Sequence, residues 1–420
     1  MPAIVRSDDL RRQNQRRILA ALRRSGTLSR TELSAATGLS ASTVTAITST
    51  LVPNGILLET PGLDSASVDT LARRGRPQVA LSLNPAIASV AALSLSLNRV
   101  SAALIDYRGS VISESIRRIN TGSATQEMLK DALADVLRDA MANASGEPGP
   151  LRHIAVGVQG ATSADSASML WSPITTCTNV PLGSMLSREF AVPATLANDC
   201  SMIAEALRWK FPERYGDSFA AVLLSHGIGM GLFLRGELFS GIGSSATEFG
   251  HMIHIPGGNL CRCGTHGCIE AYAGDYAIWR AAHEKSGSQP PADTLSATDM
   301  AGLAERARRF DGPERLAYRK AGEAIGSGLR SMFALFDPFP VAFVGSGAIA
   351  FDVIEKPIRD ALGNQAAGLA TPRIEMQCFP DEFPLLRDGA MMSALVHLDN
   401  HVFGSGETAG TVREQDYARA

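Results

Sequence analysis

Three cysteines fall within eight positions of this chain, in Cys261-Arg262-Cys263-Gly264-Thr265-His266-Gly267-Cys268, and Gly250-His251 stands nine residues upstream. In a reducing compartment, thiols clustered this tightly hold metal rather than disulfides. Three thiolates and one imidazole close a tetrahedral site, with no position left for water or substrate. The expectation is one structural zinc ion per chain, held by His251, Cys261, Cys263 and Cys268. His254 and His266 compete with His251 for the fourth place. Gly264 and Gly267 supply the tight backbone that returns Cys268 to the first pair. Cys177, Cys200 and Cys378 stand alone and read as small core residues. Glu248 and Glu270 flank the cluster, and carboxylates beside a fixed metal loop are natural acceptors for hydroxyl groups.

The rest of the chain has to be large enough to carry such a clip. Its 420 residues suggest two to four domains, and 45% apolar against 19% charged residues rules out wholesale disorder. No stretch approaches 18 consecutive apolar residues, so no membrane span is expected. The opening MPAIVRSDDLRRQNQRR lacks the apolar core of a secretory signal, which points to the cytoplasm. The net charge of −3 hides an asymmetry. Residues 1–80 hold 11 Arg and 6 acidic side chains, while the remainder holds 28 basic and 36 acidic ones. A basic front on an acidic body suggests an anionic partner for the front alone.

That front reads as a winged helix-turn-helix. Residues 9–24 place Leu10, Ile18, Leu19 and Leu22 among arginines, an amphipathic helix with a basic face. Ser29 followed by Glu32 is a capping box opening a second helix, which stops at Gly38. Ser40 caps a third helix, with Val44, Ile47 and Leu51 inward and Ala41, Ser42, Thr45, Ala46, Thr48 and Ser49 outward; Pro53-Asn54-Gly55 ends it. Ile56–Glu59 and Gln78–Leu83 read as strands around a loop carrying Arg73-Arg74-Gly75-Arg76-Pro77, which makes a wing. Arg30, Ser42, Thr43, Thr45, Ser49, Arg73, Arg74 and Arg76 are the candidate contacts to double-stranded DNA. The third helix offers no Arg, Lys, Asn or Gln for bidentate base contacts, so much of the affinity should come from phosphate contacts and wing arginines.

From Ile87 onward the pattern is α/β. Strand-like runs (Ser89–Leu95, Ser101–Asp106, Ile154–Val158, Ala220–Leu224, Gly231–Leu234, Val341–Val344) alternate with helical stretches such as Gln126–Met141, and Tyr107–Ser110 is a turn in an early antiparallel meander. The tail from about Gly404 is small and polar and is expected to be disordered. Asn198-Asp199 closes an apolar strand-like run, Ala194–Ala197, and opens a helix, Ser201–Trp209. An Asp at such an edge can accept a hydroxyl proton, although on the pair alone a helix N-cap is the better reading.

Together these residues resemble the ROK family of repressors and sugar kinases, specifically its transcriptional-repressor branch. The likeness runs from about Leu10 to about Leu398. It rests on Leu10-Arg11-Arg12-Gln13-Asn14, Leu28–Leu33, Thr37-Gly38-Leu39-Ser40, Arg74-Gly75-Arg76-Pro77, Asn198-Asp199, Glu248-Phe249-Gly250-His251 and the clip ending in Gly267-Cys268-Ile269-Glu270. It implies an α+β/α/β multidomain chain: a winged helix-turn-helix over residues 1–84, then a two-lobed actin/hexokinase-like (ribonuclease H-like) domain. The first lobe would be 85–205 plus about 376–400, and the second, with the clip, 206–375. The likeness supports the zinc ligands named above, assigns sugar hydroxyls to Asn198, Asp199, Glu248, His251 and Glu270, and matches Asp199 to the catalytic base of the kinases.

Departures from the family pattern steer the function. Kinases of this family grip ATP with an Asp-x-Gly-Gly-Thr turn, and the equivalent stretch here is Ser94-Leu95-Ser96-Leu97-Asn98. The second phosphate loop reads Ser225-His226-Gly227-Ile228-Gly229, whereas Gly345-Ser346-Gly347 on the adenosine side is intact. On the sugar side, Ile174 stands for the usual Asn and Thr247 for the usual Gly. Phosphoryl transfer depends on positioning and charge neutralisation, so ATP is not expected as a cofactor and no catalytic residue is expected. The sequence thus predicts a sugar-responsive DNA-binding regulator, a homodimer or homotetramer, that takes a sugar or sugar derivative as effector. The alternatives are a ROK sugar kinase that keeps a DNA-binding domain, and an interaction protein with a dead sugar site.

Overall fold

The computed structural model describes residues 7–61, 79–241, 247–289, 295–363 and 374–403. The expected wing arginines 73, 74 and 76 and the tail 404–420 lie outside the described residues.

Helix α1 (Ser7–Ser25) buries Ile18, Leu19 and Leu22 completely, but Leu10 is half-exposed. After β1 (Thr27–Ser29), helix α2 (Arg30–Thr37) starts on the expected capping box. Ser29 Oγ accepts from the Glu32 N–H at 3.2 Å, and Glu32 Oε2 accepts from the Ser29 N–H at 2.7 Å. Such a cap contributes about 1 kcal/mol. Gly38 ends the helix at φ 69°. Ser40 then caps α3 (Ala41–Leu51), and β2 (Leu57–Pro61) and β3 (Val79–Leu83) complete a small sheet of order β1-β3-β2. One outward assignment fails: Thr48 is fully buried. Val44, Ile47, Thr48 and Leu51 follow the i, i+3, i+4, i+7 spacing of a single helix face. The Thr48 hydroxyl is satisfied there by Arg30 Nε at 3.1 Å.

The body holds two five-stranded sheets of the same topology. In the first lobe, β4 (Ser89–Ser96), β5 (Arg99–Asp106) and β6 (Val111–Arg118) form the expected meander. Helix α4 (Gln126–Ala142), β7 (Leu151–Val158), the short hairpin β8 (Ala161–Thr162) and β9 (Met169–Trp171), α5 (Leu182–Phe190) and β10 (Ala194–Asn198) follow. The order is β10-β7-β4-β5-β6, with β4, β7 and β10 parallel. Helices α6 (Asp199–Lys210) and α7 (Pro212–Tyr215) lead to the second lobe.

There β11 (Phe219–Leu224), β12 (Ile228–Leu234) and β13 (Glu237–Leu238) repeat the meander. Helices α8 (Glu270–Ala273), α9 (Asp275–Ala282), α10 (Ala297–Arg309) and α11 (Pro313–Phe333) come next, before β14 (Val341–Val344), α12 (Phe351–Leu362) and β15 (Met376–Phe379). The order is β13-β12-β11-β14-β15, again with β11, β14 and β15 parallel. The boundary expected at about 376 therefore moves. Met376 pairs with Val341 in the second sheet, and the chain returns to the first lobe with α13 (Phe383–His397), which packs on β4 and β7. Cys378, expected in the core, is exposed on β15.

Helices α6 and α13 pack together between the sheets, and their core is continuous with that of the N-terminal module. The same cluster runs from Ile18, Leu22 and Val44 through Ile105 and Tyr107 to Ile203, Leu386 and Leu395. A buried polar link fastens the two parts. Arg23 of α1 pairs with Asp399 at 2.9 Å, with 3% and 5% of the side chains exposed, and Asp399 also accepts from the Tyr107 hydroxyl at 2.6 Å. Asp399 sits in a short π turn, Leu398–Val402, and Gln15 Nε2 donates to the Phe403 carbonyl at 3.0 Å. No helix among the described residues is long and apolar enough to cross a membrane.

Candidate ligand and metal site

The expected clip forms. One ligand atom each from His251, Cys261, Cys263 and Cys268 lies within 4.8 Å of every other, so the four could hold a metal ion. His251 Nδ1 is 3.7 Å from Cys261 Sγ, and Cys263 Sγ is 3.8 Å from Cys268 Sγ. Gly264 and Gly267 take φ 85° and 93°, and a Cβ at Gly267 would overlap the Ile255 carbonyl oxygen. The competing histidines are engaged elsewhere. His266 Nδ1 is 2.9 Å from the Gly258 carbonyl, and the His254 ring meets Tyr272 edge-on at 5.2 Å.

The clip positions the carboxylate that follows it. Glu270, 6% exposed at the start of α8, accepts from the Ile228 N–H at 3.1 Å through Oε2 and from the Tyr276 hydroxyl at 3.3 Å through Oε1. A Cβ at Gly227 would come within 2.7 Å of Glu270 Oε2, so a side chain there would displace this carboxylate. His251 turns its other nitrogen, Nε2, to within 3.7 Å of Glu248, which is exposed. A ligating histidine commonly has its second nitrogen oriented by a carboxylate in this way. The Thr247 hydroxyl donates to the Met230 carbonyl.

Asn198 and Asp199 occupy the strand-to-helix edge. Of the two alternatives the sequence left open, the helix N-cap is present, on Asn198. Asn198 is the N-cap: Oδ1 accepts from the Cys200 and Ser201 N–H groups at 2.9 and 3.2 Å, and Nδ2 donates to the Gly160 carbonyl at 2.9 Å. Asp199 is 6% exposed, and burial pushes its pKa up to about 6; the Cys200 N–H bond at 2.8 Å pulls the other way, and nearby Glu382 adds to the rise. Two more carboxylates share this cleft. Burial pushes Asp275 up to about 7, with Glu382 adding to it and Arg262 opposing, and Glu382 is itself raised by burial. Glu382 accepts from the Ser225 hydroxyl at 3.4 Å, and Asp275 lies 3.8 Å from His226.

The sequence did not single out Trp171. It stands on β9 of the first lobe, 38% exposed, with its ring 6.5 Å from that of His251 in the second lobe. An exposed Trp beside Ser172-Pro173 was the only available signal. Ile174 is 5% exposed and packs into the first-lobe core.

On the α3 face, Ser42, Thr45 and Ser49 are exposed as expected, but their hydroxyls are occupied. Ser42 and Thr43 share Ser40 Oγ at 2.8 Å, Thr45 donates to the Ala41 carbonyl, and Ser49 donates to the Ala46 carbonyl. Arg30 is partly held by Glu59 at 2.7 Å.

Comparison with known proteins places this geometry. The ROK family signature matches residues 91–375, and a winged helix-turn-helix DNA-binding signature matches residues 11–57. A xylose repressor of Caldicellulosiruptor bescii is 24% identical over 367 residues, 85% of this chain and 89% of the repressor. A glucokinase of Streptomyces coelicolor is 26% identical over 273 residues, 62% of this chain and 83% of the kinase. Among solved structures, a ROK family transcriptional regulator, a homolog of the E. coli MLC protein, superposes with a TM-score of 0.76 at 20% identity, covering 94% of this chain and 99% of the other. With the family signature spanning both lobes behind a winged helix-turn-helix, the chain belongs to the ROK family.

Proposed function

We infer that this chain is a sugar-responsive transcriptional repressor. The winged helix-turn-helix binds operator DNA, and the two-lobed body binds a sugar or sugar derivative. The observation that carries this is the joining, through one continuous core and the Arg23–Asp399 pair, of a DNA-binding module to a body that keeps Asn198, Asp199, Glu248, His251 and Glu270 around one clip and one helix start. Asp199 and Glu270 accept sugar hydroxyls, and Trp171 offers an apolar ring face across the cleft. The winged module acts within a homodimer or homotetramer, whose half-site spacing changes as the lobes close on the sugar.

The clip holds zinc. Zn–S bonds of about 2.3 Å in a tetrahedron set a ligand–ligand edge of about 3.8 Å. The Cys263–Cys268 separation of 3.8 Å fits that edge, and the 3.7 Å from His251 Nδ1 to Cys261 is close to it. A closed Cys3His set gives the ion a structural role: it fixes the backbone that delivers Glu270.

The phosphate end of the cleft argues against phosphoryl transfer. The Ser94–Asn98 stretch closes as a tight β4–β5 turn with Asn98 at φ 54°, carrying neither the carboxylate nor the glycines of the family's ATP loop. Asp275 and Glu382 place carboxyl groups beside the Ser225–Gly227 loop, where a triphosphate would have to lie. A sugar screen by thermal shift, repeated with ATP and coupled ADP detection, tests the reading. A sugar-dependent shift that also changes operator affinity supports it. Sugar-dependent ADP release at enzymatic rates would replace the repressor with a kinase.

A further inference from the structure

A further cavity, which Asp199 does not line, lies along α6. It encloses about 570 Å3 between α1 of the DNA-binding module and helices α6 and α13 of the body. Its walls mix flat apolar surface with cationic heads. Trp209, Met392 and Val396 supply apolar surface, and Arg24 of α1 and Arg208 of α6 bring guanidinium groups. Arg24 lies over the Trp209 ring at 4.5 Å, and Arg208 lies over Phe233 at 5.0 Å.

The charges here do not cancel. Among the described residues, no ion pair joins either arginine to a carboxylate, and the two guanidinium groups repel one another enough to hold the Arg24 pKa down, after the larger effect of burial. Arg23 also lines the cavity. Its Nη atoms are spent on Asp399, but its buried Nε has no hydrogen-bond acceptor. Glu205 also lines the cavity; burial raises its pKa and the charge of Arg208 opposes that rise. Two like charges beside one cavity, neither paired with a carboxylate, are unfavourable until an anion enters.

We propose that this cavity is a second ligand site, separate from the sugar cleft, for a small organic anion: a carboxylate or phosphate head on a flat apolar body. The head bridges Arg24 and Arg208, and the body packs against Met392 and Val396 beside the edge of Trp209. Because Arg24 belongs to α1 and Arg208 to α6, the bound anion ties the DNA-binding module to the body. It therefore biases the orientation of the module independently of the sugar.

The probes are 4-iodobenzoate and 4-iodophenyl phosphate, with 4-iodobenzyl alcohol as the uncharged control, titrated against the full chain by Trp fluorescence quenching and located by anomalous diffraction. The expected result is saturable quenching by at least one anion and an iodine peak beside Trp209. Binding should weaken about tenfold in Arg208→Met, as loss of one charge-assisted contact implies. Asp199→Ala should bind the probe unchanged, which separates this site from the sugar reading. The arm that binds more tightly identifies the head group. Absence of saturable binding by either anion, equal binding of the neutral alcohol, or an iodine peak elsewhere would overturn the proposal. Should Arg208→Met unfold, Arg24→Met at the exposed mouth carries the same test.

Discussion

At the scale of single residues, Asp199 and Asp275 make opposite demands on the fold and the site. A carboxyl group whose folded pKa lies above its unfolded value stabilises the fold fully only below the unfolded value, and that stability is lost as pH rises through the folded pKa. For Asp275 the window runs from about pH 4 to about pH 7, and for Asp199 from about pH 4 to about pH 6. Asp275→Asn should therefore raise the melting temperature at pH 8 and leave it nearly unchanged at pH 4, as calorimetry at the two pH values would show. A variant no more stable at pH 8 than wild type would mean that the charged form is not penalised there. Asp199→Ala should abolish sugar binding by calorimetry, because each charge-assisted hydrogen bond contributes about 1.5–3 kcal/mol, while DNA binding without sugar persists. Unchanged sugar affinity would show that the cleft no longer uses this residue.

At the scale of elements, local signals were legible and remote ones were not. Ser29 with Glu32, Ser40, Gly38 and the clip cysteines act within a few residues of themselves, so their neighbours in sequence disclose them. Thr48 was misread because its polarity outweighed its helix position; the arginine that satisfies it lies 18 residues away. Trp171 and His251 meet across the lobes, and β15 joins the second sheet after a long excursion, so neither arrangement leaves a local trace. The clip itself yields a prediction. Elemental analysis of protein purified without chelator should give close to one zinc per chain, and stripping it should loosen Glu270 and weaken sugar binding, since metal binding energy is folding energy. Metal-free protein that keeps its sugar affinity would refute that role. For the DNA face, hydroxyls already spent within α3 leave modest base readout, so Ser42→Ala should shift base preference with little loss of affinity. Arg74→Ala with Arg76→Ala should weaken binding and flatten the salt dependence, because each lost contact releases fewer counterions. A salt series with an unchanged slope would remove the wing from the interface.

At the scale of the whole molecule, two sheets of the same strand order flank the paired helices α6 and α13, and the DNA-binding module is bolted to that pair. Helix α6, roughly 18 Å long at 1.5 Å per residue, carries Asp199 at one end and Trp209, against Arg24, at the other. Removing one partner of a buried ion pair costs about 3–5 kcal/mol, whereas replacing both with apolar groups can be neutral. Asp399→Leu alone should therefore destabilise the chain, and the double variant with Arg23→Met should recover part of the loss, the buried Tyr107 hydroxyl still lacking its acceptor. The double variant should bind sugar normally yet show a smaller change in operator affinity on sugar addition, measured by fluorescence anisotropy. Full retention of the sugar response would locate the coupling elsewhere.

The buried Arg23–Asp399 pair also has a history in time. Its partners lie 376 positions apart, and at about 5–20 residues per second a ribosome takes roughly 20–75 s to travel from one to the other. Throughout that interval the nascent DNA-reading module exists with its anchoring arginine unmatched, and only the last stretch of synthesis supplies the carboxylate. A chain cut short just before Asp399 would carry both lobes but lack the carboxylate that holds Arg23, leaving the basic module without its buried polar link to them. The late position of that carboxylate makes regulated DNA binding a property that only a translated-through chain can acquire.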